Sequence, residues 1–304
     1  MSSSETSSAQ SPETTIFVYG TGSHYHKQDE LVFQAIQLGY SIIDTGPSDM
    51  YNEELTAKGI RKALETIPGK SPHHLHVQTK ISLATRYQDD LMTPFQPSDS
   101  PLEQVRKTFE RSKKRFASSG CSIQTLLLHS PLPTLDLTMQ YWRAMETIVA
   151  SDPDLKFLGI CNATVNSVQH IHRNATIKPS IVQNSFRAQT SFDADVIEFC
   201  RLKNILYQAY GVLTSNAALL ESKLVGWFAE KHHVSEAEAL FVLVASHGRG
   251  AVQLLHASHS ERHMAADIGC LHLVSQVDGK IMRAFEELLA DICTLNHGGN
   301  SWSY

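Results

Sequence analysis

The strongest constraint on the fold of this 304-residue chain is a regular alternation of short apolar runs with helical patterns. Eight runs of four or five residues are rich in β-branched and other apolar side chains: Thr15–Tyr19, Ser41–Thr45, Leu75–Thr79, Thr125–His129, Phe157–Cys161, Ile181–Asn184, Ile205–Ala209 and Ala251–Leu255. None of these runs alternates cleanly between apolar and polar residues, which is typical of parallel strands that are covered on both faces.

Helical patterns fill the intervals between these runs. The segment Ser100–Glu103 is a capping box with proline at the first helical position, and an apolar stripe at helical spacing follows it. Alternating strands and helices favour a parallel sheet, and eight such units favour closure into a (β/α)8 barrel, the TIM-barrel fold. An open, doubly wound α/β sheet is the alternative, because the pattern does not specify the order of the strands.

Length and composition favour a single domain. Hydrophobic residues make up 42% of the chain and charged residues 19%, so the chain can bury a large core. Barrels of this kind reach this length as one unit. We predict that residues 15–304 form the domain, including a C-terminal tail, and that the polar, serine-rich residues 1–14 form a disordered tail.

Charge, hydropathy and cysteine spacing argue against nucleic acid, a membrane span and a disulfide-bonded secreted protein. The net charge is −5 without a basic cluster, which argues against nucleic acid as a partner. No run of about 18 apolar residues is present, so we predict no membrane span, and the N-terminus lacks the pattern of a signal peptide. The five cysteines are far apart in the sequence, which disfavours a disulfide framework. We therefore predict a cytoplasmic protein, and its oligomeric state stays open.

Four polar residues at or just after the predicted strands form a candidate acid–base cluster: Asp44, Tyr51, Lys80 and His129. The carboxyl ends of barrel strands meet at one rim, where active sites of such barrels lie. A phenol loses its proton near pH 10, and a nearby ammonium lowers this pKa. A carboxylate would hold that ammonium in place, and a histidine would orient a carbonyl group. Each residue alone has a structural explanation as a helix cap or a solvent-facing group, so the hypothesis depends on their convergence.

The chain resembles the aldo-keto reductase superfamily over nearly its whole length. The resemblance rests on seven short motifs that follow one another on the predicted strands: Tyr19–Ser23, Gly39–Thr45, Thr79–Lys80, Leu127–Pro131, Leu158–Asn162, Val182–Asn184 and Ala209–Ser215. It implies an enzyme that reduces a small-molecule aldehyde or ketone by hydride transfer from NADPH, with the tyrosine as general acid.

The resemblance also implies a cofactor site across the rim. In that site Tyr210 stacks on the nicotinamide, while Asn162 and Gln183 bond its carboxamide. The residues assigned to the cofactor are Gly22, Ser23, Asp44, Cys161, Asn162, Gln183, Tyr210, Gly211, Leu213, Ser215 and Arg262. Cys161 stands where the family usually has serine, and a thiol is a weaker hydrogen-bonding group than a hydroxyl.

The spacing of the tyrosine departs from the family pattern. The family places it five residues after the aspartate, whereas Tyr51 follows Asp44 by seven residues and Asp49 takes the expected position. We interpret Gly46-Pro47 as a bulge that delivers Tyr51 to the site, because a family-like helix sequence follows. The alternative is that the proton donor has moved.

The residues expected to bind the 2′-phosphate of NADPH also differ from the family pattern. Arg262 is kept, but three neighbouring positions differ from the family: His256, Ala257 and Ala266. A neutral histidine supplies less charge than a lysine, so we predict weaker NADPH binding or a reduced preference for NADP. His256, His259 and His263 have helical spacing, but no acidic or cysteine ligand accompanies them, and we predict no metal site.

Two other functions stay open. The same acid–base cluster could catalyse an isomerisation, dehydration or cyclisation in a barrel whose cofactor role is reduced or lost. The other possibility is a non-enzymatic regulatory barrel, against which the near-complete cluster argues.

Overall fold

Eight parallel strands close into a barrel in which each strand pairs with the next and the last pairs with the first. The strands are β1 (Phe17–Gly20), β2 (Ile42–Asp44), β3 (His76–Ile81), β4 (Ile123–Leu128), β5 (Phe157–Cys161), β6 (Ile181–Ser185), β7 (Leu206–Tyr210) and β8 (Val252–His256). The structure, a computed structural model, describes residues 16–22, 26–48, 50–82 and 93–298. The tail predicted over residues 1–14 and the residues after 298 lie outside this part of the chain.

Helices cover the outside of the barrel. They are α1 (Gln28–Leu38), α2 (Glu53–Thr66), α3 (Pro101–Phe116), α4 (Leu135–Ser151), α5 (Val165–Asn174), α6 (Ala194–Lys203), α7 (Ala217–Leu220), α8 (Lys223–His232), α9 (Glu236–Ser246), α10 (Glu261–Gly269) and α11 (Gly279–Gly298). Short 3₁₀ segments occur at Pro72–His74 and Cys270–Gln276, and the turns at Ala188–Asp193 are interrupted by a kink. None of the helices in the described ranges has the length and apolarity that crossing a bilayer requires.

The pairing of β1 with β8 excludes the open, doubly wound sheet and confirms the barrel. Val18 lies opposite Leu255 and Tyr19 opposite His256 in a parallel register. Each predicted run overlaps one observed strand, with ends that differ by no more than two residues.

The main apolar core lies between the strands and the helices. Trp142 of α4 is fully buried there, and its indole Nε1 donates to the carbonyl oxygen of Ile177 at 3.0 Å. The capping box that begins α3 is present, and Val105 and Phe109 of its stripe are buried. Leu102, the first apolar residue of α3, is 41% exposed, so the buried part of the stripe begins at Val105.

A second, smaller apolar cluster consists of Leu127, Cys161 and Ile181, with Leu206 packed against it. Gly159 of β5 lies between two members of this cluster, Leu127 and Ile181. The remaining inward-facing positions of several strands are polar, and these positions contain the candidate site.

Candidate active site at the carboxyl-terminal rim

Asp44 and Lys80 form a buried ion pair at the carboxyl ends of β2 and β3. The Lys80 ammonium donates to both carboxylate oxygens of Asp44, at 2.7 Å to Oδ1 and 2.6 Å to Oδ2, and to the carbonyl oxygen of Thr45 at 2.9 Å. The side chains of Lys80 and Asp44 are 1% and 2% exposed. Burying such a pair is costly unless additional hydrogen bonds satisfy its polar atoms.

The ion pair keeps Lys80 charged. Burial by itself lowers the pKa of Lys80, but the charge of Asp44, the interactions with Tyr51 and Cys161 and the hydrogen bond to Asp44 together raise this pKa by more, so the net shift is upward. Lys80 is therefore a cation at neutral pH, as the predicted acid–base cluster requires.

Tyr51 lies over this ion pair. The Lys80 ammonium is 4.7 Å from the centre of the Tyr51 ring. The ring is held between two glycines: a Cβ at Gly46 would lie 2.9 Å from ring carbons of Tyr51, and one at Gly22 would lie 3.2 Å from Cε1. Tyr51 therefore lies beside the lysine despite its longer spacing from Asp44, and the bulge at Gly46-Pro47 stays a prediction. Asp49, the alternative occupant, lies outside the described residues.

The pKa of Tyr51 is raised, whereas from the sequence we expected the nearby ammonium to lower it. Burial raises the pKa of the Tyr51 phenol, the charge of Lys80 lowers it and the charge of Asp44 raises it, and the net shift is upward. Lys80 acts in the predicted direction, but burial has the larger effect. The phenol therefore keeps its proton at neutral pH, as a proton donor must.

His129, Asn162 and Tyr210 lie together farther along the rim. The His129 ring Nδ1 is 2.8 Å from the hydroxyl oxygen of Ser82. Asn162 has a left-handed backbone with a φ of 55°. Its Nδ2 donates to the carbonyl oxygen of His129 at 2.9 Å, and its Oδ1 accepts from the Tyr210 hydroxyl at 2.6 Å. The structure thus brings together two predicted cofactor contacts and the histidine of the acid–base cluster.

The Gln183 amide bonds to side chains inside the barrel, Asp44 of the rim among them. Its Nε2 donates to Asp44 Oδ1 at 3.0 Å and to Gln208 Oε1 at 2.9 Å, and its Oε1 lies 3.5 Å from the Cys161 thiol. Burial raises the pKa of Cys161 to about 12, so this thiol is neutral. Gln183 therefore contacts the acid–base cluster, and its predicted bond to the carboxamide of the nicotinamide stays a prediction.

Three further glutamines reach the same interior, and the sequence-based prediction missed them. We call the four residues the glutamine layer: Gln78 on β3, Gln183 on β6, Gln208 on β7 and Gln253 on β8. Each is at most 4% exposed. The signal available in the sequence was a glutamine inside the apolar run of four different strands.

The remaining predicted cofactor residues line the loops after β1 and β7. Gly211 has a φ of 71°, and a Cβ there would lie 3.0 Å from the Ser215 hydroxyl oxygen, so a side chain at this turn would be strained. The Ser215 N–H donates to the Gly211 carbonyl oxygen at 3.0 Å. Leu213 is half-buried between them, and Ser23 lies outside the described residues.

A buried carboxylate stands at the predicted phosphate end of the site. His256, the last residue of β8, has its Nδ1 2.8 Å from Oδ2 of Asp267, which also accepts from the Tyr40 hydroxyl at 3.3 Å. Asp267 is 4% exposed, whereas Arg262 is exposed in the first turn of α10. The sequence-based prediction missed Asp267, since α10 turns back on β8 to make this contact. The described residues contain no group of three side chains suited to hold a metal ion.

The chain is similar to known aldo/keto reductases. A model of the aldo/keto reductase family matches residues 18–264. The glyoxal reductase of Bacillus subtilis (strain 168) is 25% identical over 219 residues, which cover 72% of this chain and 70% of that protein. The NAD(P)H-dependent D-xylose reductase of Scheffersomyces stipitis is 23% identical over 283 residues, covering 88% and 86%. The solved structure of aldose reductase from Giardia lamblia shares the fold, with a TM-score of 0.73 at 19% identity over 93% of this chain and 94% of that chain.

Proposed function

We propose, from the premise that this chain belongs to the aldo/keto reductase family, that it reduces a small aldehyde or ketone with a nicotinamide cofactor. The observation that carries the proposal is the Tyr51 ring, which two glycines hold over the buried Lys80–Asp44 pair. Relatives named as a glyoxal reductase and a xylose reductase support carbonyl reduction as the reaction class.

Tyr51 is the proton donor in this proposal. As the carbonyl carbon gains a hydride, its oxygen develops negative charge, and the Tyr51 hydroxyl gives its proton to that oxygen. The alcohol is released, and the phenolate that remains takes a proton from solvent. Lys80 stabilises the phenolate by its charge, and Asp44 keeps the ammonium in place. His129, whose ring Nδ1 bonds with Ser82, orients the carbonyl group.

The residues at the rim fit a nicotinamide cofactor, which would supply the hydride. The side-chain amide of Asn162 is a polar group of the kind that recognises a carboxamide, and the Tyr210 hydroxyl donates to its Oδ1 at 2.6 Å, which holds the Tyr210 ring beside it, where the ring would stack on the nicotinamide. The side-chain-free turn at Gly211 allows a ligand to approach the backbone closely. Gln183 would support the site from below through Asp44.

The phosphate end of the site favours a reduced preference for NADPH. In the proposed arrangement Arg262 supplies positive charge for a 2′-phosphate, but the buried carboxylate of Asp267 pairs with His256 beside it. A carboxylate close to a phosphate raises the cost of binding, because like charges repel. We therefore expect NADPH and NADH to bind with similar affinity.

Cofactor binding and turnover test the proposal in one experiment. The purified protein is titrated with NADPH and with NADH by cofactor fluorescence, and a panel of aromatic aldehydes and quinones is then added. Binding followed by cofactor oxidation is the expected result. Binding without turnover on any substrate would contradict carbonyl reduction and favour a non-redox reaction or a regulatory barrel. Nanomolar binding of NADPH alone would contradict the predicted loss of NADP preference.

A further inference from the structure

Two amides of the glutamine layer share one oxygen of Asp44 with Lys80. Nε2 of Gln78 lies 2.7 Å and Nε2 of Gln183 lies 3.0 Å from Asp44 Oδ1, which also accepts from Lys80 at 2.7 Å. Three donors therefore meet at an oxygen that has two lone pairs. If the ammonium turned away from Oδ1, two amide donors would remain there.

Gln208 bonds both of these amides and fixes their orientation. Its Oε1 accepts from Gln78 Nε2 at 2.8 Å and from Gln183 Nε2 at 2.9 Å, while its own Nε2 donates to Oε1 of Gln78 and of Gln253, each at 3.0 Å. Rotating the Gln208 amide by half a turn would place hydrogen against hydrogen and oxygen against oxygen at these contacts. Because unsatisfied buried amides are costly, the layer favours one arrangement, with the N–H groups of Gln78 and Gln183 directed at Asp44.

The three N–H groups of Lys80 already have acceptors. They are directed at the two oxygens of Asp44 and the carbonyl oxygen of Thr45, although the ammonium lies over the Tyr51 ring. The Lys80 side chain also forms a hydrogen bond with the Tyr51 side chain, so four acceptors share three N–H groups. A stronger hydrogen bond to a Tyr51 phenolate therefore draws one N–H away from another acceptor. Of these acceptors, Asp44 Oδ1 can lose its hydrogen bond from Lys80 at the lowest cost, because Gln78 and Gln183 still donate to it.

We propose that Gln208 is a positioning residue that holds the Gln78 and Gln183 amides on Asp44, so that Lys80 can turn one N–H from Asp44 to the Tyr51 phenolate. This inference rests on the proposed function, in which Tyr51 is the proton donor. It adds no covalent step, because only hydrogen bonds are exchanged while the proton passes from Tyr51 to the carbonyl oxygen. The charged and titratable groups that act on Tyr51 are Lys80, Asp44 and Cys161, with His129 at the same rim.

Titration of residue 51 tests this proposal without requiring turnover. The full chain is prepared with meta-fluorotyrosine, whose phenol is more acidic than that of tyrosine, and the titration is followed by fluorine NMR. The resonance of residue 51 is the one that is missing in Tyr51→Phe. In Gln208→Met, which keeps the side-chain size but removes the amide, we expect the midpoint to rise by about one pH unit, because the phenolate loses a charge-assisted hydrogen bond. An unchanged midpoint would overturn the proposal.

Gln253→Met is the matched control. It removes the same chemical group from the same layer but leaves the amides of Gln78 and Gln183 bonded to Gln208 and Asp44. We expect its midpoint to equal that of the parent protein. A rise as large as that in Gln208→Met would refute the specific assignment to Gln208.

A second variant covers the case in which Gln208→Met does not fold, as judged by circular dichroism. Gln78→Met removes one donor from Asp44 directly and is expected to raise the midpoint in the same direction, and no rise there would equally refute the proposal.

In a parent protein that turns over, Gln208→Met should lower kcat about tenfold with KM unchanged. If the parent protein shows no turnover but the midpoints of the variants shift as predicted, only the proposed function is contradicted. If the parent protein turns over but Gln208→Met has the parent's midpoint, the role of Gln208 is contradicted.

Discussion

Two glycines make room for a single ring in the site. Gly22 and Gly46 lie on opposite sides of Tyr51, and a Cβ at Gly46 would come within 2.9 Å of the ring. The loop ends in a turn in which the Tyr51 N–H donates to the Ser48 carbonyl oxygen at 2.9 Å, and Asn52 directly begins α2 as its cap. A loop longer than the family pattern can therefore present the tyrosine in a defined position.

Asp267 offers a test of cofactor preference at the scale of one residue. Asp267→Asn removes the negative charge but keeps an oxygen that can accept from the Tyr40 hydroxyl. We expect NADPH to bind about tenfold more tightly in this variant, because the repulsion of the 2′-phosphate is relieved. NADH lacks that phosphate and serves as the control ligand, with an unchanged Kd. Equal changes for both cofactors would place Asp267 away from the phosphate.

The segment between β6 and α6 contains three consecutive residues with a left-handed backbone. Ser191, Phe192 and Asp193 have φ values of 51°, 51° and 53°, and a left-handed backbone costs about 1–2 kcal/mol per residue. Burial of Phe192 offsets part of this cost. The Asp193 carboxylate also accepts from Asn184 Nδ2 at 2.5 Å and from the Tyr207 hydroxyl at 3.0 Å.

The carboxyl of Asp193 makes stability depend on pH. Burial raises the pKa of Asp193, and hydrogen bonds from Asn184, Thr190 and Tyr207 lower it by less, so the net shift is upward. When the pKa of a carboxyl is higher in the folded state, its protonated form stabilises the fold. This stabilisation is fully present at a pH below the pKa of the unfolded state, about 4, and is lost as the pH rises through the pKa of the folded state. Asp193→Asn should therefore raise the free energy of unfolding at pH 7 by about 1 kcal/mol and remove this loss.

Urea unfolding at several pH values measures this effect. Asp136→Asn, at an exposed position in α4, is the control, because Asp136 is not among the groups that shift the pKa of Asp193, and it should leave the pH dependence as it is in the parent protein. A parent-like pH dependence in Asp193→Asn would show that Asp193 is not the responsible group.

Over the whole molecule, the sequence predicted the strands and the barrel but did not predict the glutamine layer or the contact between His256 and Asp267. The eight apolar runs predicted eight strands because strand length and apolar content are local properties of the sequence. Gln78, Gln208 and Gln253 escaped prediction because a run with no clean alternation does not show which residues face the interior of a barrel. Asp267 escaped because its partner His256 comes from another element.

The small interior cluster of the barrel depends on a glycine. A Cβ at Gly159 would lie 2.5 Å from Leu127 Cδ2 and 2.6 Å from the Ile181 carbonyl oxygen, so strands on both sides would have to shift. We expect Gly159→Ala to lower the free energy of unfolding by about 1–3 kcal/mol, measured by urea titration. The same change at Gly226, in α8 with no atom within 4 Å of the added Cβ, should stabilise by up to about 1 kcal/mol. A neutral effect at Gly159 would contradict the close packing.

Comparison of Tyr51→Phe with the parent protein tests most directly whether the rim is a reductase site. The variant keeps the ring over Lys80 but lacks the proton that the carbonyl oxygen needs. With any carbonyl substrate that the parent reduces, we expect kcat to fall by about two to four orders of magnitude while the Kd of the cofactor stays the same. Unchanged turnover in Tyr51→Phe would show that the proton comes from another group.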